Sequence, residues 1–317
     1  MTQRLSTVRT GASRTPRAGL WWGLLGVLAF SFTVPMTRVV VADGAMSPLF
    51  VGAGRAVVAA GLAGLALLIT RQRLPRGRQW YRLAVVAAGV VIGFPVLTSY
   101  ALTTASASHG AVVIALLPAA TAVVAVLRSH ERPPVAFWVA AALGSIAAVT
   151  FAVMQGGGFG SVHGSDLLLL AAVVAAAVGY AEGGLLAREL GAWQTVSWAL
   201  VVAAPLMVAL TGLAWAQQPP QGTGAQWAAF AYLAAVSMYL GFFAWYRGLA
   251  IGPMAQVSQI QLSQPVMTIC WAAVLLGEHI TWDTVLGGAA VIAFALLAVR
   301  SRTAAPPDRP PRRPTVR

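Results

Sequence analysis

The fold is decided by a stretch that occurs twice in this chain, as YALTTASASHGAVVIALLP at Tyr100–Pro118 and as RGLAIGPMAQVSQIQLSQP at Arg247–Pro265. Few residues are identical, but both copies share a layout. Each runs from one apolar stretch through a proline into a second apolar stretch, and a glutamate follows at the next boundary. The two prolines lie 147 positions apart, and so do Glu131 and Glu278. A repeat of about half the chain predicts an architecture of two similar halves.

The composition is that of an integral membrane protein. The 317 residues are 58% hydrophobic and only 9% charged, with a mean hydropathy of +0.76. A helix needs about 20 apolar residues to cross a bilayer, and each crossing should be helical because lipid satisfies no backbone polar group. Ten stretches reach that length: 20–41, 47–70, 82–102, 108–128, 134–154, 166–187, 192–214, 226–248, 254–276 and 281–300. The sequence therefore predicts an all-α membrane protein with ten transmembrane helices.

The charges indicate how these helices are oriented. The net charge is +13, lysine is absent, and all 21 basic residues are arginines. If ten helices alternate, 19 arginines lie in the tails and loops of one side or at the span ends that adjoin them, the opposite loops have none, and the remaining two, Arg38 and Arg55, lie further inside spans. This bias predicts a multi-pass protein of the plasma (inner) membrane with both termini in the cytoplasm. The arginine-rich tails suit anionic lipid headgroups, whereas no folded domain offers a nucleic-acid surface.

The repeat also divides the chain into units. We expect a basic cytoplasmic tail at 1–19, repeat one at 20–154, an external linker at 155–165, repeat two at 166–300 and a disordered Pro/Arg-rich cytoplasmic tail at 301–317. Each repeat holds five spans, and an odd number inverts the second repeat in the membrane relative to the first. The predicted fold class is therefore ten helices in two inverted five-helix repeats.

Several kinds of chemistry are excluded by what the sequence lacks. Without lysine there is neither a Walker A motif for ATP nor a Schiff-base lysine for pyridoxal phosphate. The four histidines have no metal-ligand spacing, and the single cysteine, Cys270, can form no internal disulfide. The sequence contains no catalytic set, so neither a cofactor nor an enzyme activity is expected.

Local motifs carry a resemblance to a known family. In repeat two they are Gly179-Tyr180-Ala181-Glu182, GFFAWYRGLA at Gly241–Ala250, and Gln261-Leu262-Ser263-Gln264-Pro265 followed by Leu276-Gly277-Glu278. In repeat one they are Trp22-Gly23, Arg55 and the interval from Pro118 to Glu131. With ten helices in two repeats, the chain resembles the EamA-type transporters of the drug/metabolite transporter superfamily over nearly its whole length. It departs from them at His130-Glu131, where the family usually has Gly-Glu.

The resemblance implies alternating-access transport of small organic solutes, usually their export, with amino acids, sugars, nucleotide precursors and toxic compounds among known substrates. We therefore expect a secondary transporter, first of all an exporter of amino acids or related metabolites. The alternative is a membrane protein that does not transport, either a scaffold or an intramembrane enzyme. The expected partners are a small-molecule solute and the lipid bilayer, with protons as the candidate coupling ion. The oligomeric state stays open, a homodimer included.

Three ionisable residues are candidates for the site. Arg55 is eight residues into helix two, about 12 Å below the external face. It is either a docking point for a solute carboxylate or other anion, or a structural ion pair or carbonyl clamp. Glu182, nearer the cytoplasmic end of helix six, is predicted to line the cavity between the repeats. It either carries a coupling proton, or it lies at the headgroup boundary or pairs with an arginine such as Arg188. His109, at the external entrance to helix four, is either the second coupling candidate or a solvated loop histidine.

Polar and aromatic side chains complete the predicted cavity. At 100° per residue, Gln256, Gln259 and Ser263 share one face of helix nine, with Gln264 beside it and Gln261 further round. Amides facing lipid would be costly, so this face should point inward, either as cavity lining or as hydrogen bonds between helices. Tyr100 and Tyr180 are candidates for stacking on a flat solute, although packing or interface anchoring would also account for them.

Small residues and prolines predict the shape of the helices. Glycines spaced four apart allow close helix crossings, as at Gly89/Gly93 and Gly179/Gly183. Prolines in the middle of predicted spans should kink them, and these are Pro35, Pro95, Pro118 and Pro205.

Overall fold

The structure is a computed structural model that describes residues 16–129, 163–251 and 260–279, with short pieces or single positions between 135 and 146, at 257, and between 281 and 297. The α-helices in these ranges are α1 Pro16–Ser31, α2 Thr33–Val41, α3 Pro48–Ile69, α4 Arg78–Val86, α5 Phe94–Ala101, α6 Ala107–Ile114, α7 Leu117–Ser129, α8 Gly164–Leu190, α9 Ala192–Gln217, α10 Gly224–Ala231, α11 Gly241–Ile251 and α12 Gln264–Leu276. Two π-helical segments, Ala87–Gly93 and Tyr232–Leu240, join α4 to α5 and α10 to α11.

The predicted spans are present wherever the structure describes them. Six are long and apolar enough to cross a membrane: Ala18–Val41, Pro48–Ile69, Arg78–Ala101, Gly164–Leu190, Ala192–Gln217 and Gly224–Ile251. Their ends agree with the predicted ones to within four residues. Two shorter apolar helices, Ala107–Thr121 and Gln264–Leu276, cover parts of spans four and nine. Much of span five and half of span ten lie outside the described residues, so the count of ten helices stays a prediction.

Breaks in the helices lie just before prolines. Helices α1 and α2 meet at Phe32, three residues before Pro35, and α6 and α7 are separated just before Pro118. A proline has no N–H to donate, and its ring crowds the carbonyl four residues earlier, so helical geometry is disturbed on that side. Pro205 behaves differently, because α9 continues through it from Ala192 to Gln217.

The break at Pro35 ties the two halves of the chain together. Pro35 cannot donate to the carbonyl of Ser31, which lies four residues earlier. The Thr268 hydroxyl of α12 donates to that carbonyl instead, at 2.8 Å, and Trp271 Nε1 donates to Ser31 Oγ at 3.0 Å. A freed carbonyl within a span is thus satisfied by a neighbouring helix, as an apolar environment requires.

Irregular backbone recurs at the repeat distance. An offset of 147 residues carries the π-helical segment Ala87–Gly93 onto 234–240, which lies within the second such segment, Tyr232–Leu240. The same offset carries the α6–α7 break at 115–116 onto 262–263, within the 3₁₀ turn Gln261–Ser263. The two halves therefore share their departures from ideal helix as well as their hydrophobic pattern.

Glycines allow α8 to cross the span formed by α4 and α5. A Cβ added to Gly89 would overlap the carbonyl oxygen of Ala175 and lie 2.9 Å from the amide nitrogen of Gly179. Gly93 is similarly close to α8, since its Cβ would lie 2.9 Å from that of Ala175. These are the small-residue pairs that the sequence singled out, and they bring one helix of each repeat into direct backbone contact.

Polar contacts collect at two opposite ends of the helix bundle. The arginine end holds Arg82, Arg128, Glu182 and Glu189. The opposite end holds the pairs Asp43–Gln226, Ser108–Glu278 and His109–Asp166. Hydrogen bonds from the Ala45 amide and the Gln226 side chain lower the pKa of the Asp43 carboxyl at that end. Every contact joins segments that the arginine count placed on the same side of the membrane, in agreement with alternating helices.

Candidate functional site

A central cavity lies where the two halves of the chain meet, and its empty space of about 410 Å³ includes volume that is open to the surroundings. The lining comes from both halves: Phe30, Thr33, Val34, Arg55, Val90, Phe94 and Leu117 from the first, and Tyr180, Ser237, Met238, Phe242 and Gln264 from the second.

The lining includes three pairs of positions that are equivalent in the two repeats. Each pair is separated by 147 residues: Thr33 and Tyr180, Val90 and Ser237, Leu117 and Gln264. Equivalent positions of the two repeats therefore meet at this cavity, although its chemistry is not symmetric, because Val90 and Leu117 correspond to polar Ser237 and Gln264.

The start of α3 places Arg55 beside this cavity. Ser47 caps the helix by accepting the amide of Phe50 at 3.2 Å, and Pro48 occupies the first turn. Arg55 follows two turns later and is 1% exposed. Its Nη2 donates to Thr98 Oγ1 at 3.4 Å, and its Nε has no hydrogen-bond partner in the part of the chain that the structure describes. Buried polar groups normally have a hydrogen-bond partner, so this unpaired donor is available to a bound solute.

Aromatic rings form one wall of the cavity. Phe30 packs on Phe242 with ring centroids 4.9 Å apart, and Tyr180 packs on Phe242 at 5.8 Å. Next to them, a hydrogen bond of 2.7 Å joins the hydroxyls of Thr33 and Ser237 across the repeats. The cavity is thus apolar along the rings and polar at Arg55, at this hydroxyl pair and at Gln264.

A second, smaller cavity adjoins the first and shares Val34 and Gln264 with it. Gln261, which regular helical spacing placed further round than Gln264, is 2% exposed and lines this second cavity. The reason is the 3₁₀ turn Gln261–Ser263, in which residues three apart lie in one row. Three buried side-chain atoms have no hydrogen-bond partner within the described residues: Gln261 Oε1, Gln261 Nε2 and Gln264 Oε1. The Gln261 side chain nevertheless lies close to the Tyr180 hydroxyl.

Glu182, predicted to line the cavity between the repeats, instead lies apart from both cavities, at the arginine end, because two arginines hold its carboxylate there. Its side chain is 4% exposed and accepts from Arg82 Nε and, at 2.9 Å, from Arg128 Nε. Arg82 also pairs with Glu189. The sequence suggested Arg188 as the partner, but among the described residues the ion pairs are with Arg82 and Arg128. Glu182 therefore ties α8 of repeat two to α4 and α7 of repeat one.

His109 is part of a polar cluster at the opposite end. The expectation of a solvated histidine was wrong, since its side chain is 13% exposed and its Nε2 lies 2.6 Å from Asp166 Oδ1. Nearby, the Glu278 carboxylate accepts from the amides of Ala107 and Ser108 at 2.8 and 3.0 Å. A carboxylate is favourable there because the first amides of a helix are unpaired and carry partial positive charge.

The remaining candidates are divided. Tyr180 and Gln264 line the central cavity, whereas Tyr100 is 42% exposed and lines neither cavity. Gln256 and Gln259 lie outside the described residues. The sequence reading missed Phe30, Thr33, Ser237 and Phe242. The repeat offset would have indicated two of the lining positions, because 147 residues separate Thr33 from Tyr180 and Leu117 from Gln264.

The EamA-like transporter family matches this chain at residues 17–153 and 163–300, which together cover most of the sequence. The chain belongs to the EamA-like transporter family. Membership makes it a multi-pass membrane transporter rather than an enzyme.

Individual proteins are similar to this chain in sequence or in fold. The uncharacterized transporter YdeK of Bacillus subtilis (strain 168) is 44% identical over 286 residues, which are 88% of this chain and 96% of that protein. One crystal structure of another protein matches 91% of this chain and 99% of its own, with a TM-score of 0.67 at 19% identity. At that identity the likeness concerns the fold alone.

Proposed function

We propose that this EamA-family protein is a secondary active transporter that moves small organic metabolites by alternating access, with export of amino acids or related compounds as the first activity to test. The observation that carries the proposal is the central cavity lined by repeat-equivalent residues of both halves. In transporters built from inverted repeats, the solute binds at the interface of the repeats, and rocking of one part against the other exposes it to either side.

The contacts at the two ends of the bundle support such a movement. At the arginine end, Arg82 and Arg128 of repeat one hold Glu182 of repeat two. At the opposite end, Ser108 and His109 of repeat one contact Glu278 and Asp166 of repeat two. Opening either end requires its set of contacts to separate while the other set holds, so the two sets have the arrangement that two gates need.

The energy source is proposed to be a proton gradient. The sequence has no nucleotide-binding motif, and an ion gradient is the usual alternative for a secondary transporter. Glu182 and His109 are the candidates for carrying the proton, because each is ionisable and each joins the two repeats at one end.

Transport is tested with the purified full-length protein in liposomes. We expect at least one solute from a panel of amino acids, their analogues and drugs to accumulate when a pH gradient is imposed, and a protonophore to abolish the accumulation. Val90→Phe, which fills the central cavity, should lower the rate at least about tenfold through overpacking at the site. Val58→Phe is the matched control, because Val58 is 45% exposed on the lipid-facing side of α3.

Two results would contradict the proposal. One is the absence of transport for every solute in the panel by a protein that remains monodisperse. The other is equal loss of transport in Val90→Phe and Val58→Phe, because the effect would then be unrelated to the cavity.

A further inference from the structure

Resting on the proposed transport function, we infer that Arg55 selects solutes with a single carboxylate, and that the substrates are small monocarboxylates with an apolar or aromatic body and a second group that donates a hydrogen bond. Amino acids with apolar side chains and the corresponding hydroxy acids belong to this class. The inference rests on the uncompensated charge of Arg55, on the apolar surfaces around it and on the unpaired side-chain oxygen of Gln264.

Arg55 is the one charged side chain among the described residues that line the central cavity. Its neighbours in the lining include Val90, Phe94 and Leu117, which offer no hydrogen-bonding side chain. Bringing a guanidinium into such surroundings is costly unless a partner of opposite charge is present. Within the described structure, the contact with Thr98 is a long hydrogen bond to a neutral hydroxyl, which does not supply that charge.

The protein supplies no anion to Arg55 from the described residues. The sequence holds eight acidic residues, of which Glu131, Asp283 and Asp308 lie outside the described part. The five that the structure describes, Asp43, Asp166, Glu182, Glu189 and Glu278, all have partners at the two ends of the bundle. The cavity therefore carries one positive charge that a bound solute can neutralise.

A carboxylate fits this charge better than a phosphate. A phosphate monoester carries a charge of about −1.5 to −2 at neutral pH and is usually held by more than one cation or by several amides. The described lining has a single guanidinium and is otherwise neutral. One guanidinium matches one carboxylate in charge and in its forked geometry. A solute with two carboxylates would leave one of them without a cation.

The rest of the lining sets the body and the second polar group. The rings of Phe30, Tyr180 and Phe242 form an apolar wall suited to an aliphatic or aromatic side chain. Gln264 Oε1 is buried without a partner within the described residues. An amide oxygen accepts hydrogen bonds, so the group that completes it is a donor such as an ammonium or a hydroxyl.

The test compares solutes that differ by one group. The full-length protein, purified in detergent, is titrated with L-leucine, with leucinamide, which lacks the carboxylate, and with 4-methylpentanoate, which lacks the amine. We expect leucine to bind most tightly and leucinamide to bind at least about tenfold more weakly, because leucinamide cannot form the charge-assisted hydrogen bonds between a carboxylate and the Arg55 guanidinium. Solutes with two carboxylates, such as glutamate, should bind more weakly than leucine.

Variants separate the two recognition groups. Arg55→Gln should weaken leucine binding by about ten- to a hundredfold and abolish the preference over leucinamide, and Arg55→Lys should retain part of it because the charge remains without the fork. Gln264→Leu should weaken leucine binding but leave 4-methylpentanoate unchanged. Arg38→Gln is the control, because Arg38 donates to the carbonyls of Leu102 and Thr103 and lies outside the cavity lining.

The outcomes that overturn the inference differ from those that overturn transport. Wild-type affinity for leucine in Arg55→Gln would overturn it. If Arg55→Gln does not fold, an unchanged ratio of leucine to leucinamide affinity in Arg55→Lys would do the same. Transport in liposomes of uncharged or cationic solutes in preference to monocarboxylates would also overturn it while leaving the transport function in place.

Discussion

At the scale of single residues, Arg55 and Glu182, two of the charges that the sequence placed inside spans, have opposite surroundings. Arg55 lies on the central cavity with an unpaired Nε among the described residues. Glu182 is held by two arginines at the arginine end. Removing one partner of a buried ion pair is costly, because the charge of the other partner stays buried without compensation. Glu182 therefore stabilises the closed arginine end whether or not it also carries a proton.

Substitution of Glu182 tests both roles. Glu182→Gln leaves Arg82 and Arg128 without their shared carboxylate, and we expect about 1–3 kcal/mol of destabilisation, reduced from the value for a fully buried pair because the Arg128 side chain is 45% exposed. Glu189→Gln is the control and should cost less than about 1 kcal/mol, since Glu189 is 47% exposed. Thermal unfolding in detergent measures both. Equal effects would contradict the central position of Glu182 in the cluster.

The same variant decides the coupling role in liposomes. If Glu182 carries the proton, Glu182→Gln should uncouple net transport from pH while solute exchange continues, because the amide keeps the shape but cannot titrate. Full retention of the parent's pH dependence would make Glu182 structural and leave His109 as the next residue to test.

At the scale of helices, breaks at prolines create hydrogen-bonding groups that other helices use. The Ser31 carbonyl is free because of Pro35, and Thr268 of α12 satisfies it. Thr268→Val keeps the shape of the side chain but leaves this buried carbonyl unpaired, so we expect a loss of about 1–3 kcal/mol in thermal unfolding. Thr211→Val is the control, because Thr211 donates to Met207 within its own continuous helix α9 and should cost little. Similar losses in both variants would contradict the role assigned to the break.

Helix crossings give a second prediction at this scale. Gly89→Ala places a methyl group against the carbonyl of Ala175, and because backbone cannot move aside cheaply, we expect a loss of several kcal/mol or failure to fold. Gly64→Ala on α3 is the control, since no atom lies within 4 Å of its added Cβ. That change should be neutral or slightly stabilising because alanine favours helix. Normal yield and stability of Gly89→Ala would refute the close crossing of α8.

At the scale of the whole molecule, the distribution of arginines and the contacts at the two ends agree on which loops lie together. This agreement fixes the grouping of the loops but not which group faces the cytoplasm. We expect the arginine end to be cytoplasmic, because arginine-rich loops are retained there. The contacts at the opposite end then face outward.

Cysteine labelling tests this orientation. In a Cys270→Ala background, Ala42→Cys lies in the exposed loop after α2, and Arg73→Cys lies in the exposed loop between α3 and α4. A membrane-impermeant maleimide applied to intact cells should label position 42, and position 73 only after permeabilisation. The reverse pattern would place the arginine end outside and contradict the predicted topology.

The sequence by itself determined the spans, the grouping of loops and the repeat distance of 147 residues. These are properties that a chain shows locally, since a span needs only length and hydrophobicity, and a proline disturbs its own helix. The sequence also identified Arg55, Tyr180 and Gln264, because a polar group within a span has to face something other than lipid.

Only the tertiary structure decided what those groups face. Arg82 and Glu182 are 100 positions apart, and Ser31 and Thr268 are 237 apart, so no local pattern indicates their contact. The inward position of Gln261 depends on a 3₁₀ turn that regular helical spacing does not predict. A linear pattern can show that a buried group needs a partner, but the packing of distant helices decides which residue supplies it and which group is left free for a solute.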